Sequence, residues 1–155
     1  MTKDQRPISV RRADQSDLEA LVNGNLIMAR ETEGLALDRE VLRAGVLAVL
    51  EARVPGAFWV AESDGRVVGQ LMITYEWSDW RNGMVWWIQS VHVDASARQQ
   101  GIFRTLYRAT REQARAAGAR GLRLYVDTTN TRAQAVYSAL GMNGDHYRVF
   151  EDMWT

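Results

Sequence analysis

The sequence predicts a mixed α/β fold whose sheet has both antiparallel and parallel neighbours. Two observations carry this. Trp86 to Val93 is apolar, β-branched and aromatic, as a strand should be, and a polar loop, a helical pattern from Arg104 to Ala117 and a second strand-like run, Leu122 to Val126, follow it. Strand, helix and strand in that order imply a parallel pair joined by a right-handed crossover. Upstream, Phe58 to Glu62, Val67 to Trp77 and Met84 to Val93 are separated only by Ser63-Asp64-Gly65 and Asn82-Gly83, which are hairpin-turn signals and make those neighbours antiparallel.

The remaining elements follow in order. Ile8 to Arg12 reads as a first strand. Asp14 or Ser16 is placed to cap a helix from Asp17 to about Arg30, with Leu18, Leu21, Val22 and Leu26 at helical spacing. Glu31-Thr32-Glu33-Gly34 breaks that helix. Asp38 opens a second, whose apolar face is Val41, Leu42, Val46, Leu47 and Leu50, and Pro55-Gly56 ends the segment. The loop from Ser78 to Gly83 is short and carries Trp80 at its tip. Gly118 stops the helix after Trp86–Val93. Thr131 is placed to cap a last helix, with Gly141 as its stop, and His146 to Phe150 reads as a closing strand. The order is β-α-α-β-β-β-α-β-α-β.

A chain of 155 residues suits one domain, residues 1–155, with a core of its own. Nineteen basic residues balance nineteen acidic ones, so no global field draws nucleic acid or an anionic membrane, and neither is an expected partner. Cysteine is absent, which excludes disulfides, thiol nucleophiles and thiolate metal sites and suits the cytoplasm. Met1 to Pro7 lacks the apolar core of a signal peptide, and no run has the length of a membrane span. Two histidines, His92 and His146, lie far apart, and no metal is expected.

Chemistry concentrates in Arg98-Gln99-Gln100-Gly101-Ile102-Phe103, between a strand and a helix start. Backbone N–H groups there point outward at the positive end of a helix and attract phosphate. Gly101 has no Cβ, so an anion can approach the main chain. This stretch resembles motif A of the GCN5-related N-acetyltransferase (GNAT) superfamily, Arg/Gln-x-x-Gly-x-Gly/Ala. Asn130-Thr131-Arg132-Ala133-Gln134-Ala135-Val136-Tyr137-Ser138-Ala139-Leu140-Gly141-Met142 resembles the superfamily's Asn-x-x-Ala-x-x-x-Tyr-x-x-x-Gly-Phe segment, with Met142 in the Phe place. Order and separation match, and the resemblance runs loosely from Ile8 onward. It implies a central twisted mixed sheet with helices on both faces, and acetyl-coenzyme A as co-substrate at the splay between Trp86–Val93 and Leu122–Val126.

The resemblance also assigns roles. The backbone of Gln99, Gln100, Gly101, Ile102 and Phe103 would cradle the pyrophosphate, with Arg98 and Arg104 adding charge-assisted contacts. Arg108, Arg111 and Arg115 read as a solvated helix face. The backbone of Val91, His92 and Val93 would pair with the pantetheine arm. Phe103 replaces the usual Gly or Ala, so its ring must point away from the phosphates or reshape the site. Asn130 would anchor the cofactor or serve as a helix-entry residue. Tyr137 stands where the family places its general acid; a tyrosine packed on the core is the plain alternative.

Acceptor-side residues are read more openly. Gln89 takes the place of a family Glu; it orients water or substrate but does not accept a proton. Glu76 is the candidate base, at the end of its strand. With Glu31 and Glu33, between the first two helices, it suggests an acceptor site of negative character suited to a cationic amine. Trp77 and Trp80 would line that site, or pack the hairpin, or form a homodimer contact. The expected function is therefore direct acetyl transfer to a primary amine, of a small molecule first. A non-catalytic acyl-coenzyme A binding module and a protein N-terminal or lysine acetyltransferase are the alternatives.

Overall fold

The computed structural model describes residues 6–154. The chain divides into two compact units, Met1–Leu124 and Tyr125–Thr155. The first holds β1 (Ser9–Arg12), α1 (Leu18–Glu33), α2 (Arg39–Leu50), β2 (Ala57–Ser63), β3 (Arg66–Ser78), β4 (Gly83–Val93), α3 (Ile102–Ala116) and β5 (Gly121–Leu124). Its sheet has the order β1-β2-β3-β4-β5, with β1 to β4 antiparallel and β5 parallel to β4, as the two turn signals and the crossover predict. The second unit holds α4 (Thr131–Ala139).

Two neighbouring residues of β3 show where the helices lie. A Cβ on Gly69 would meet Ile102 Cγ2 of α3 at 2.7 Å. The next residue, Gln70, donates its Nε2 to Leu21 O of α1 at 3.0 Å. Successive strand residues face opposite ways, so α3 covers one face of the sheet and α1 the other. Leu18, Leu21 and Val22 of α1, Val46 and Val49 of α2, and Phe58 and Val60 of β2 form the core on the α1 side. Ile102 and Leu106 of α3 are as fully buried on the other side.

One ion cluster fastens the chain's first elements together. Arg11 of β1 donates to both oxygens of Asp17, at 2.7 and 2.8 Å, and to Glu62 of β2 at 2.7 Å. Asp17 also accepts from Asp14 N, and Asp14 from Ser16 N, closing a capping box at the turn into α1. The Arg11 bonds hold the Asp17 carboxyl below its usual range.

Beyond shifts of one or two residues at element ends, the structure differs from the sequence reading in four places. Helix α1 runs on to Glu33, because only Gly34, at φ +63°, leaves the helical region. Glu31 and Glu33 therefore sit on its last turn and not in a linker. Helix α4 is capped by Asn130, whose side chain accepts from Ala133 N at 3.1 Å, and not by Thr131. The hairpin turn is a four-residue loop: Ser78 pairs with Gly83, which is already strand, and Asn82 alone takes positive φ, +45°. The fourth is the expected strand His146–Phe150, which does not form. A strand needs a neighbour for its ladder, and Tyr147 and Phe150, on opposite faces of any strand there, are both exposed.

Gly69 was silent in the sequence but is constrained by α3. Gly69→Ala should destabilise the protein by about 1–3 kcal/mol, as overpacking does, where an open strand glycine would gain from alanine. Urea denaturation measures this; an unchanged midpoint would show that α3 shifts at no cost.

Candidate active site

Strand β4 has a neighbour along its whole length on one side and for only part of it on the other. β5 pairs with Val85 to Ile88, so Gln89 to Val93 have no ladder partner on that side among the described residues. Within β4 the register against β3 slips between Ser90 and Ile88, leaving Gln89 as the extra residue of a bulge. The sequence reading expects a splay here, between Trp86–Val93 and Leu122–Val126; β5 stops at Leu124, and the unpaired stretch of β4 leads straight into the polar loop.

The loop is built to expose its backbone. Asp94 N returns to Val68 O, a turn follows over Ala95–Ala97, and Gln99 and Gly101 take positive φ, +65° and +75°. Gly101 is the N-cap of α3, and no side chain caps that helix. A Cβ on Gly101 would meet nothing within 4 Å, so the space beside its Cα is open. The first N–H groups of a helix have no partner within it, and uncapped they form an anion site. The Phe103 ring lies 6.1 Å from the ring of Tyr107, one turn further along α3. Arg104 is exposed beside it.

Arg98 is tied at both ends of its guanidinium. Its Nε donates to Val93 O at 3.1 Å and its Nη2 to Glu31 at 2.6 Å. The structure thus joins a residue expected at the phosphates with one expected at the acceptor. Glu33, one turn-face away, is exposed.

On the face of the sheet shared with α1, beyond that helix, lies a polar array. Glu76 accepts from Trp87 Nε1 at 2.5 Å and from Arg123 Nη1 at 3.0 Å on each oxygen. Gln89 donates to Thr74 Oγ1 at 2.8 Å. The Trp87 hydrogen bond, with Arg123 behind it, lowers the Glu76 pKa. A carboxylate so held is a poor proton acceptor. Arg123 and Thr74 went unnoticed in the sequence, and Trp87 had no site role there, because only the register of β3, β4 and β5 brings them to Glu76 and Gln89. Trp77 and Trp80 stand at the hairpin end, Trp80 at 89% exposure.

His92 is buried on the α1 side next to Gln70, its Nε2 3.5 Å from Asp94. Burial lowers its pKa, so it is neutral at pH 7. It borders a cleft of about 520 Å³ with Arg11, Asp17, Glu62, Arg66 and Asp94. The charges there are paired, Arg11 with Asp17 and Glu62, Arg66 with Asp94 at 3.0 Å.

In the second unit, Asn130 caps α4 through its side-chain oxygen. Burial pushes the Tyr137 phenol above its ordinary pKa. No group of His, Asp and Glu suited to a metal ion occurs among the described residues. No helix among them is long and apolar enough to cross a membrane.

A sequence model described as the acetyltransferase (GNAT) family matches residues 26–142. No curated protein matches the chain. Among solved structures, a possible acetyltransferase from Clostridium difficile 630 is 40% identical, with 96% of this chain and 98% of that one covered and a TM-score of 0.88. The aminoglycoside N-acetyltransferase AAC(6')-Iy, solved in complex with CoA, is 20% identical over 99% of this chain and 98% of that one, TM-score 0.80. An aminoglycoside acetyltransferase from an uncultured soil metagenomic sample, in complex with sisomicin, is 19% identical over 96% and 95%, TM-score 0.72. The last two are likenesses of fold.

The Glu76 array makes a pH prediction. A carboxyl whose folded pKa is lowered stabilises the fold above its ordinary pKa, and that contribution is lost as pH falls through the folded value. Glu76→Gln should therefore be less stable than the parent at pH 7, and the gap should narrow as pH falls below the ordinary carboxylate range. Urea midpoints of the two proteins across that range test it; a gap independent of pH would remove the ionic contribution.

Proposed function

Because the chain belongs to the acetyltransferase (GNAT) family, we propose that it transfers acetyl from acetyl-coenzyme A directly to a primary amine of a small molecule. The observation that carries the reading is the uncapped start of α3, open at Gly101, directly after the unpaired half of β4. This arrangement fits coenzyme A. The N–H groups around Gly101 to Arg104 would hold the pyrophosphate, with Gln99 and Gln100 shaping the loop. The main chain of Val91 to Val93 would hold the pantetheine arm as an added strand. Arg98, exchanging Glu31 for a phosphate oxygen, would supply positive charge. The whole chain, 1–155, would act as one domain, in the cytoplasm, a setting that the absence of cysteine suits.

The chemistry follows from the thioester. An unprotonated amine attacks the carbonyl carbon, the C–N bond forms, and the tetrahedral intermediate expels the thiolate as the C–S bond breaks. Tyr137, a neutral phenol at pH 7, would give the thiolate its proton. Asn130, at the entry to α4, would stay beside the cofactor through the amide nitrogen that its cap leaves over. The amine's surplus proton goes to water, which Gln89 would orient. Glu76 we assign as a positioning residue, holding Trp87 and Arg123 on the acceptor side. Glu31 and Glu33 would favour a cationic acceptor, with Trp77 and Trp80 along its body. Fold neighbours named as aminoglycoside acetyltransferases support a small-molecule acceptor.

Three results test this. Acetyl-coenzyme A should raise Tm, dephosphorylated pantetheine much less, and Gly101→Glu should abolish the shift; Gly101→Asn, which tolerates positive φ, should keep the fold. Equal shifts from the two ligands would rule out a pyrophosphate cradle. Tyr137→Phe should cut kcat roughly a hundredfold with little change in cofactor affinity. Full kcat in that variant makes water the donor, and no thiol release from the parent with any amine makes the protein a binding module. Glu76→Gln should leave the pH profile of kcat/KM in place; loss of its acidic limb would make Glu76 the base.

A further inference from the structure

Arg98 and Glu31 lie far apart in the chain and meet in the fold. Glu31 stands on the last turn of α1, and Arg98 in the loop that leads from β4 to α3. Arg98 Nη2 donates to Glu31 Oε2 at 2.6 Å, and its Nε to Val93 O at 3.1 Å. Among the described residues this is the one ion pair between α1 and the loop after β4.

Each partner is suited to a second charge. A carboxylate on the last turn of a helix meets the negative end of the dipole and is disfavoured there unless a cation is near. Glu31 and Glu33 both stand on that turn; Glu31 has Arg98, and Glu33 has no ion pair among the described residues. Arg98 sits three residues before Gly101, where no side chain caps the N–H groups of α3. A diphosphate at those groups offers Arg98 more anionic oxygen than one carboxylate does. The pair is open to water, with side chains 37% and 44% exposed, so it parts at low cost.

We propose that the Arg98–Glu31 pair couples the donor site to the acceptor site: Arg98 leaves Glu31 for the diphosphate of coenzyme A, and the uncovered carboxylate becomes the site for the acceptor's positive charge. The inference rests on the donor and acceptor reading above. In the free protein Arg98 holds the place that the acceptor's cation needs, and an acceptor meets a neutral pair. With the donor bound, Glu31 stands unpaired at a helix end that disfavours it, and a cationic acceptor restores the balance. Binding is then linked in both directions: the factor by which donor tightens acceptor is the factor by which acceptor tightens donor.

Isothermal titration of the full chain with coenzyme A tests this, in a double-mutant cycle on Glu31→Gln and Arg98→Gln. Both side chains are partly exposed, so each variant should keep the folded circular dichroism spectrum. Glu31→Gln should bind coenzyme A about two- to fivefold more tightly than the parent, because Arg98 starts free. Arg98→Gln should bind it roughly tenfold more weakly. The double variant should match Arg98→Gln, since Glu31 then has nothing to compete for. In the parent, carrying carbon-13 at its glutamate side-chain carboxyls, saturation with coenzyme A should move the Glu31 signal and leave that of Glu33 in place. Unchanged or weaker binding by Glu31→Gln would make Glu31 a support that orients Arg98, and overturns the proposal. Tightening that persists in the Arg98→Gln background overturns it too, because Glu31 then repels the donor directly. So does a Glu31 signal that stays where it was. Absence of coenzyme A binding in all four proteins is a separate result, which removes the donor reading itself and this coupling with it.

Discussion

The fold of the first unit depends on the unequal pairing of β4. Against β3 it is paired from end to end; against β5 it is paired only from Val85 to Ile88. The short crossover partner and the Gln89 bulge have one result: half of a central strand keeps its hydrogen-bonding groups on one side. The loop that follows starts from that open half, so a row of main-chain groups and a helix N-terminus lie in series. An elongated ligand with an anionic end matches this layout, and no side chain has to be specialised for it. α1 and α3 then hold the strand from opposite faces, through Gln70 and Gly69.

Electrostatics in this molecule are mostly internal. Each carboxylate expected to face a substrate has a cation near it or is in plain solvent. Glu31 is bonded to Arg98 and Glu76 to Arg123. Both pairs are partly exposed, so each contributes little stability. Their value is positional. A pair of that kind can be exchanged for a ligand group at low cost, which suits residues beside a binding site. The Arg11, Asp17 and Glu62 cluster is the opposite case: Asp17 is nearly fully buried, and the cluster serves the joint of β1, β2 and α1.

Most of the fold was legible because its signals are local. Asp64 and Gly65, both at positive φ, turn β2 into β3, and the strand, loop and helix around Gly101 stand where periodicity put them. The uncapped helix start at Gly101 was legible for the same reason, being one contiguous stretch. What escaped the sequence depends on pairing across the sheet. Trp87 and Arg123 reach Glu76 only through the register of three strands, and Gly69 is constrained by a helix more than thirty residues away. The missing His146–Phe150 strand teaches the complementary lesson. Alternation and β-branching describe what a segment would do beside a neighbour, and do not supply the neighbour.

The loop from Arg98 to Gly101 has one further consequence, for mutational tolerance. On the proposed reading its recognition groups, apart from the Arg98 guanidinium, are main-chain N–H, and only two of its positions, Gln99 and Gly101, hold φ values that most side chains resist. Replacing Gln100 leaves every recognising atom in place. Variation should therefore be filtered by backbone angle and not by side-chain chemistry. Glycine and asparagine would pass at position 99 where valine or isoleucine would not. A site made this way can persist through wide sequence divergence while the residues around the acceptor change freely.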